Sequence, residues 1–169
     1  MPPVRFGYVG YGNSAIRYHL PFIANNPDIE LYAFYQRSPP PSDPTAPDAK
    51  RHCTIDHPGA KHYTDLDAFL ADEAIEVVVV VTDHTTHAEF AEKALLAGKH
   101  GELSEYACTG LALTVLNVIV VVEKPVANST EAWERVMKVS EQTGKLLIPY
   151  QSESLRDSEL CFDAGATMI

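Results

Sequence analysis

Val4-Arg5-Phe6-Gly7-Tyr8-Val9-Gly10-Tyr11-Gly12-Asn13-Ser14-Ala15-Ile16-Arg17-Tyr18-His19-Leu20-Pro21-Phe22-Ile23 is the stretch that decides the fold. Val4 to Val9 alternates β-formers and reads as a strand. Over Ser14 to Ala24, Ile16, Leu20 and Ile23 fall at helical spacing. Between the two lies Gly10-Tyr11-Gly12-Asn13-Ser14-Ala15, a G-x-G-x-x-A placed where strand turns into helix. Gly10 suits the tight turn. Gly12, without a Cβ, lets a pyrophosphate approach the backbone. Ala15 is small enough for the helix to pack on the strand. Asn13 and Ser14 stand at the helix N-terminus, where unpaired N–H groups and the helix dipole favour an anion. The bland alternative is an ordinary strand-to-helix turn whose glycines only reverse the chain. Because strand, turn and helix agree, the stretch is read as a dinucleotide-binding fingerprint.

Working outward, Glu30 to Gln36 is the second strand. In dinucleotide-binding folds a carboxylate at its end holds the ribose 2′-hydroxyl. Here the strand ends Gln36-Arg37-Ser38, with a guanidinium and no carboxylate. Arg37 fits a 2′-phosphate in bidentate fashion, so NADP is expected over NAD, with NAD the alternative. A solvated surface arginine is the competing explanation.

Ser38 to Pro58 is rich in Pro, Asp and Ser, and its prolines exclude regular helix. It reads as an exposed loop. His52, His57 and His62 are spaced five apart, which matches no single helix or strand face. They are taken as surface histidines in preference to a metal site, and no metal is expected. Lys61 to Thr64 reads as a short strand, and Thr64-x-x-Asp67 as a capping box opening a helix through Ala71.

Val77 to Val81 are five consecutive valines. An unbroken β-branched run marks a strand buried on both faces, as in a parallel sheet. Thr82-Asp83-His84-Thr85-Thr86-His87 follows, and Thr86-x-x-Glu89 is expected to cap a helix that stops at Gly98. His87, in the first turn, is expected to be neutral. A strand over Val118 to Val122 ends in Glu123-Lys124-Pro125. Asn128-x-x-Glu131 then caps a helix to about Gln142, Gly144 stops it, and Lys145 to Tyr150 is the last strand. The fold class is therefore α/β: a Rossmann-type, doubly wound, mainly parallel sheet in one domain.

Composition narrows the function classes. The net charge of −10 argues against nucleic acid, since phosphate backbones are met by basic patches. The three cysteines, Cys53, Cys108 and Cys161, are scattered and make no C-x-x-C pair. No signal peptide is visible, and the apolar stretch Leu111 to Val122 is shorter than the roughly 18 residues of a membrane helix. A cytoplasmic protein is expected.

Taken together, Val9-Gly10-Tyr11-Gly12, Tyr18 to Ile23, Arg37-Ser38, Ala97-Gly98-Lys99-His100, Glu123-Lys124-Pro125 and Pro149-Tyr150-Gln151 resemble, in order, the N-terminal domain of the Gfo/Idh/MocA oxidoreductases. The resemblance spans residues 3–151, the expected dinucleotide-binding domain. It implies an NAD(P)-dependent oxidoreductase that moves hydride between the cofactor and a sugar or polyol. It also implies roles for single residues. Gly10, Gly12 and Ala15 would form the pyrophosphate turn, and Arg37 and Ser38 would meet the adenosine ribose or its phosphate. Thr82, His84 and His87 sit where the family's Thr-Pro-Asn-x-x-His contacts cofactor. Glu123 and Lys124 would lie near the nicotinamide, with Lys124 as the catalytic cation at the reacting oxygen.

Three departures qualify that likeness. Asp83 and His84 replace the family's Pro-Asn. Residues 101–119 interrupt a run the family makes continuous. They read either as a surface insertion or as a translated intron: Gly101-Glu102-Leu103 is compatible with a splice donor, Leu113-Thr114 with a branch point, and Ile119-Val120 with an acceptor. Residues 152–169 replace the family's entry into a second domain, which supplies much of the substrate pocket and the usual dimer surface. The expectation is a truncated chain that binds cofactor but turns over weakly or not at all, with oligomerisation doubtful. Its alternatives are a non-catalytic nucleotide-sensing regulator of the same fold and a chain that never folds stably.

Overall fold

Val77 to Val80 set the geometry of the molecule: each of these side chains is buried, so this strand must have layers on both sides. In the computed structural model, which describes residues 2–43, 45, 51–98 and 119–150, it is the fourth strand of a six-stranded sheet. The elements run β1 (Val4–Val9), a π-turn (Ala15–His19) into α1 (Leu20–Ile23), β2 (Ile29–Tyr35), α2 (Cys53–Asp56), β3 (Lys61–Tyr63), α3 (Leu66–Leu70), β4 (Val77–Val80), α4 (His87–Ala97), β5 (Ile119–Glu123), α5 (Thr130–Thr143) and β6 (Leu147–Tyr150). The strand order is β3-β2-β1-β4-β5-β6, and every neighbouring pair is parallel. This is the doubly wound order, with its switch point between β1 and β4.

Strand alternation assigns each face its core. Tyr8 lies opposite Phe34 and Val79 and, with Ala15, Leu20 and Cys53, fills the layer under the π-turn and α1. Val9, Val78, Val80, Val120 and Val122 face the other way, onto Ala91 and Leu95 of α4 and Val136 and Val139 of α5. Gly7 belongs to the close packing of that second face. A Cβ there would stand 2.7 Å from Phe69 Cζ and 2.9 Å from Ile75 Cγ2.

Several local expectations shift. The first helix is not a plain α-helix: Ala15 to His19 form a π-turn, closed by the Leu20 N–H on the Ala15 carbonyl. Pro21 explains it, having no N–H to give the preceding turn and a ring that crowds it, so the chain widens by one residue. The proline-rich segment does contain a helix, α2, in its proline-free part. The α3 cap is Asp65, whose carboxylate accepts from the Ala68 N–H at 2.7 Å, in place of Thr64. The α5 cap is Ser129, accepting from the Ala132 N–H at 3.2 Å, in place of Asn128. Asn128 instead donates from Nδ2 to the His84 carbonyl.

Ile119, read from the sequence both as part of the strand over Val118 to Val122 and as the last residue of the insert, opens β5 and pairs with Val77. The remainder of that insert and the 152–169 tail lie outside the described residues. No helix among the described residues is long and apolar enough to cross a membrane.

Candidate functional site

At the switch point β1 and β4 run side by side, and their following loops leave toward opposite faces. The gap between those loops is a cleft of about 650 Å³. Gly10, Gly12, Asn13 and Ser14 form one wall, Arg37 and Ser38 the end beyond β2, and Thr82 the wall beyond β4. Seven residues expected from sequence thus meet in one place. Ala15 lies directly behind them, fully buried, where the π-turn rests on the sheet.

The two glycines have different geometry. Gly10 has φ +107°, and a Cβ on it would come within 3.0 Å of the Val81 carbonyl oxygen, because β1 and β4 approach closely there. A Cβ on Gly12 would meet nothing within 4 Å, so protein packing leaves the space above that residue open to the cleft. The helix that follows has no side-chain cap on its first N–H groups. Open space over a glycine, facing uncapped N–H groups, fits a pyrophosphate.

Glu123 ends β5, and Ser14 donates from Oγ to its Oε1 at 2.5 Å. This bond joins the glycine turn to the Glu-Lys-Pro segment across 109 residues of chain. Lys124, next along, is exposed at the same sheet edge. His87 does not line the cleft. It is buried beneath it, with Nδ1 2.9 Å from the Pro125 carbonyl oxygen and Nε2 3.1 Å from that of Thr82. Both partners are acceptors, so a neutral ring donates to only one at a time. His87 is a brace between two loops. His84 also stays outside the cleft, exposed, with its ring turned toward the Asp83 carboxylate at 3.7 Å. Asp83 accepts from the Thr85 N–H and hydroxyl, which hold its carboxyl below the usual carboxylate range.

Other residues around the site were not expected there from the sequence. Tyr11, an unremarked position between the glycines, lies edge-on to Phe34 and donates from its hydroxyl to Asp56 Oδ2 at 2.6 Å. Burial, and then that bond, raise the phenol's pKa. Phe90 and Thr86 of the α4 region complete the cleft wall. His19 is buried against Tyr150, ring centroids 4.2 Å apart, and its Nε2 has no partner among the described residues. Burial lowers its pKa, with the nearby Glu123 carboxylate acting in the opposite direction. The signal for His19 was available in part, since a histidine just before Leu-Pro falls on the inward face of the helix.

Residues 4–101 match the model of an oxidoreductase family described by its NAD-binding Rossmann fold, Gfo/Idh/MocA. The chain belongs to this family. It is 33% identical over 153 residues to an uncharacterized oxidoreductase of Schizosaccharomyces pombe, covering 90% of this chain and 34% of that protein. It is 28% identical over 149 residues to the NADP(+) scyllo-inositol 2-dehydrogenase IolW of Bacillus subtilis, covering 88% and 33%. Among solved structures, an oxidoreductase from Bacillus cereus superposes with a TM-score of 0.64 at 28% identity, covering 88% of this chain and 35% of that one. The Gfo/Idh/MocA chain therefore spans about a third of the length of these relatives. Its described part is a nicotinamide-dinucleotide-binding Rossmann domain, as the family and the cleft agree.

Proposed function

We propose that this domain binds NADP in preference to NAD and serves an oxidoreductase that exchanges hydride with a hydroxyl of a sugar or polyol. The observation that carries the reading is the open space above Gly12 at the head of an uncapped helix, with Arg37 and Ser38 at the far end of the same cleft. The pyrophosphate takes the glycine turn, where backbone N–H groups replace its water. The guanidinium of Arg37 meets the 2′-phosphate, and a planar fork matches that group better than a hydroxyl. The domain's acidic net charge is no obstacle, because the donors are local.

The nicotinamide, when bound, supplies the hydride chemistry. This chain's contribution is orientation and charge. His87 fixes the Thr82 loop to the Pro125 loop, so both edges of the site keep their spacing. Ser14 holds the Glu123 carboxylate at the end of β5. Lys124 offers a cation where a substrate oxygen develops negative charge. The substrate class rests on the inositol dehydrogenase relative and on the family resemblance.

Titration of the chain with NADPH and NADH, followed by nicotinamide fluorescence, tests the reading. NADPH is expected to bind more tightly, and Arg37→Ala to weaken NADPH roughly tenfold or more with little change for NADH, as for loss of one charge-assisted pair. Equal losses for both nucleotides would remove Arg37 from the phosphate site. No binding of either by folded protein would remove the dinucleotide reading itself.

A further inference from the structure

Behind the adenosine end of the cleft, three potential ligands meet from two segments. His52 and Cys53 open α2, and His62 lies in β3. The sequence reading placed the histidines at the surface, but His52 and Cys53 are buried and His62 is half-buried. One donor atom of each residue lies within 4.8 Å of the other two. The imidazoles of His52 and His62 stand edge to face with centroids 4.7 Å apart.

Hydrogen bonds fix both tautomers. His52 Nε2 lies 3.0 Å from the Ser38 carbonyl oxygen, and His62 Nε2 lies 2.9 Å from that of Gln36. A carbonyl only accepts, so each Nε2 carries a proton, and in the neutral ring Nδ1 is the nitrogen with the lone pair. Metal-ligating imidazoles are commonly held this way, one nitrogen donating to a backbone carbonyl and the other presented to the ion. Gln36 also anchors the third member, its Oε1 accepting from the Cys53 N–H at 3.0 Å. Residue 36 therefore positions two of the three, one through its main chain and one through its side chain.

We propose that His52, Cys53 and His62 bind one zinc-class divalent cation through the two Nδ1 atoms and the Cys53 sulfur, with water in a fourth position. Two imidazoles and one thiolate suit a borderline cation with tetrahedral preference. Zinc–nitrogen and zinc–sulfur bonds of about 2.0–2.3 Å separate tetrahedral donors by roughly 3.3–3.7 Å. The cluster thus contracts by about an ångström on binding. In that step Thr54, whose N–H and hydroxyl now face His52 Nδ1 at 3.3 and 2.9 Å, releases it, and the thiol proton passes to solvent. Because α2 is only four residues long, this adjustment disturbs one turn. The site is independent of the dinucleotide reading, although Gln36 and Ser38 border both.

The test is titration of chelator-treated protein with Co2+, followed by absorption spectroscopy. Saturation is expected at one equivalent, with tetrahedral ligand-field bands and a thiolate-to-cobalt charge-transfer band that Zn2+ abolishes. Cys53→Ser removes the charge-transfer band, and His62→Gln weakens binding roughly tenfold or more. His57→Gln leaves binding unchanged, since that ring packs on Phe34 at 5.1 Å and on Tyr11 at 5.8 Å, outside the cluster. The chain also carries Cys108 and Cys161, so a variant with both changed to serine must keep the band. Absence of the band in the native chain, its survival in Cys53→Ser, or its loss when Cys53 is the sole thiol would each overturn the proposal.

Discussion

Gly10 and Gly12 sit two positions apart and answer to different constraints. Gly10 is fixed by protein: a left-handed φ of +107° and the Val81 carbonyl 3.0 Å from any added Cβ. Gly12 is fixed by no protein atom, since nothing lies within 4 Å. Gly10→Ala is therefore expected to destabilise the fold by roughly 1–3 kcal/mol in urea unfolding. Gly12→Val is expected to shift that unfolding little and to lower NADPH affinity at least about tenfold, because its methyls fill the phosphate's space. The reverse pattern would contradict the assignment of either glycine. His19 gives a second prediction at this scale. Burial holds its folded-state pKa below the ordinary imidazole value, and His57 shifts in the same direction for the same reason. As pH falls through about 6.5 the unfolded chain takes up protons that the folded chain refuses, so stability falls below that pH. The loss levels off only once the folded-state value has been passed. In denaturant midpoints measured between about pH 7.5 and 5, His19→Phe should flatten this slope.

The elements owe their limits to single residues at their ends. Helix α5 begins at Ser129, whose hydroxyl accepts from the Ala132 N–H, and ends at Gly144, with φ +63° and two carbonyls, of Ser140 and Glu141, satisfied by main-chain N–H groups there. Ser129→Ala and Gly144→Ala are each expected to lower stability by about 1 kcal/mol, while Asn128→Ala leaves the helix cap intact. Thermal melts of the three variants check the ranking. Strands, stops and the glycine turn were legible in the sequence because each is written in neighbouring residues: five valines in a row, a glycine after a helical period. The π-turn was not, although Pro21 is in plain view, because a proline in an early helical turn is also compatible with a normal start. Caps slipped by one position, Thr64 to Asp65 and Asn128 to Ser129, where adjacent residues offered equally good acceptor oxygens to the helix N–H groups. His52, His62 and Glu123 found their partners through space, in Ser38, Gln36 and Ser14. Nothing local announces that Ser14 reaches Glu123, or that Gln36 gathers His62 and Cys53.

At the scale of the whole molecule, the sheet order decides what the domain can hold. Chain direction reverses its march across the sheet between β1 and β4, and only there do neighbouring loops part. The fold class and the family were both readable, since a Rossmann fingerprint and a buried valine strand are strong signals when they occur in order. The substrate was not, for the described residues build the cleft at the switch point and an edge bearing Lys124. Pairing of Phe6 with Val77 joins residues 71 apart in sequence. Such distant joins form late when a polypeptide refolds, since loop closure must precede the contacts that reward it. In a stopped-flow experiment begun from denaturant, the nucleotide's emission should consequently rise no sooner than the slowest sheet signal. The redox carrier would then double as a clock hand, moving only once the two central strands have met.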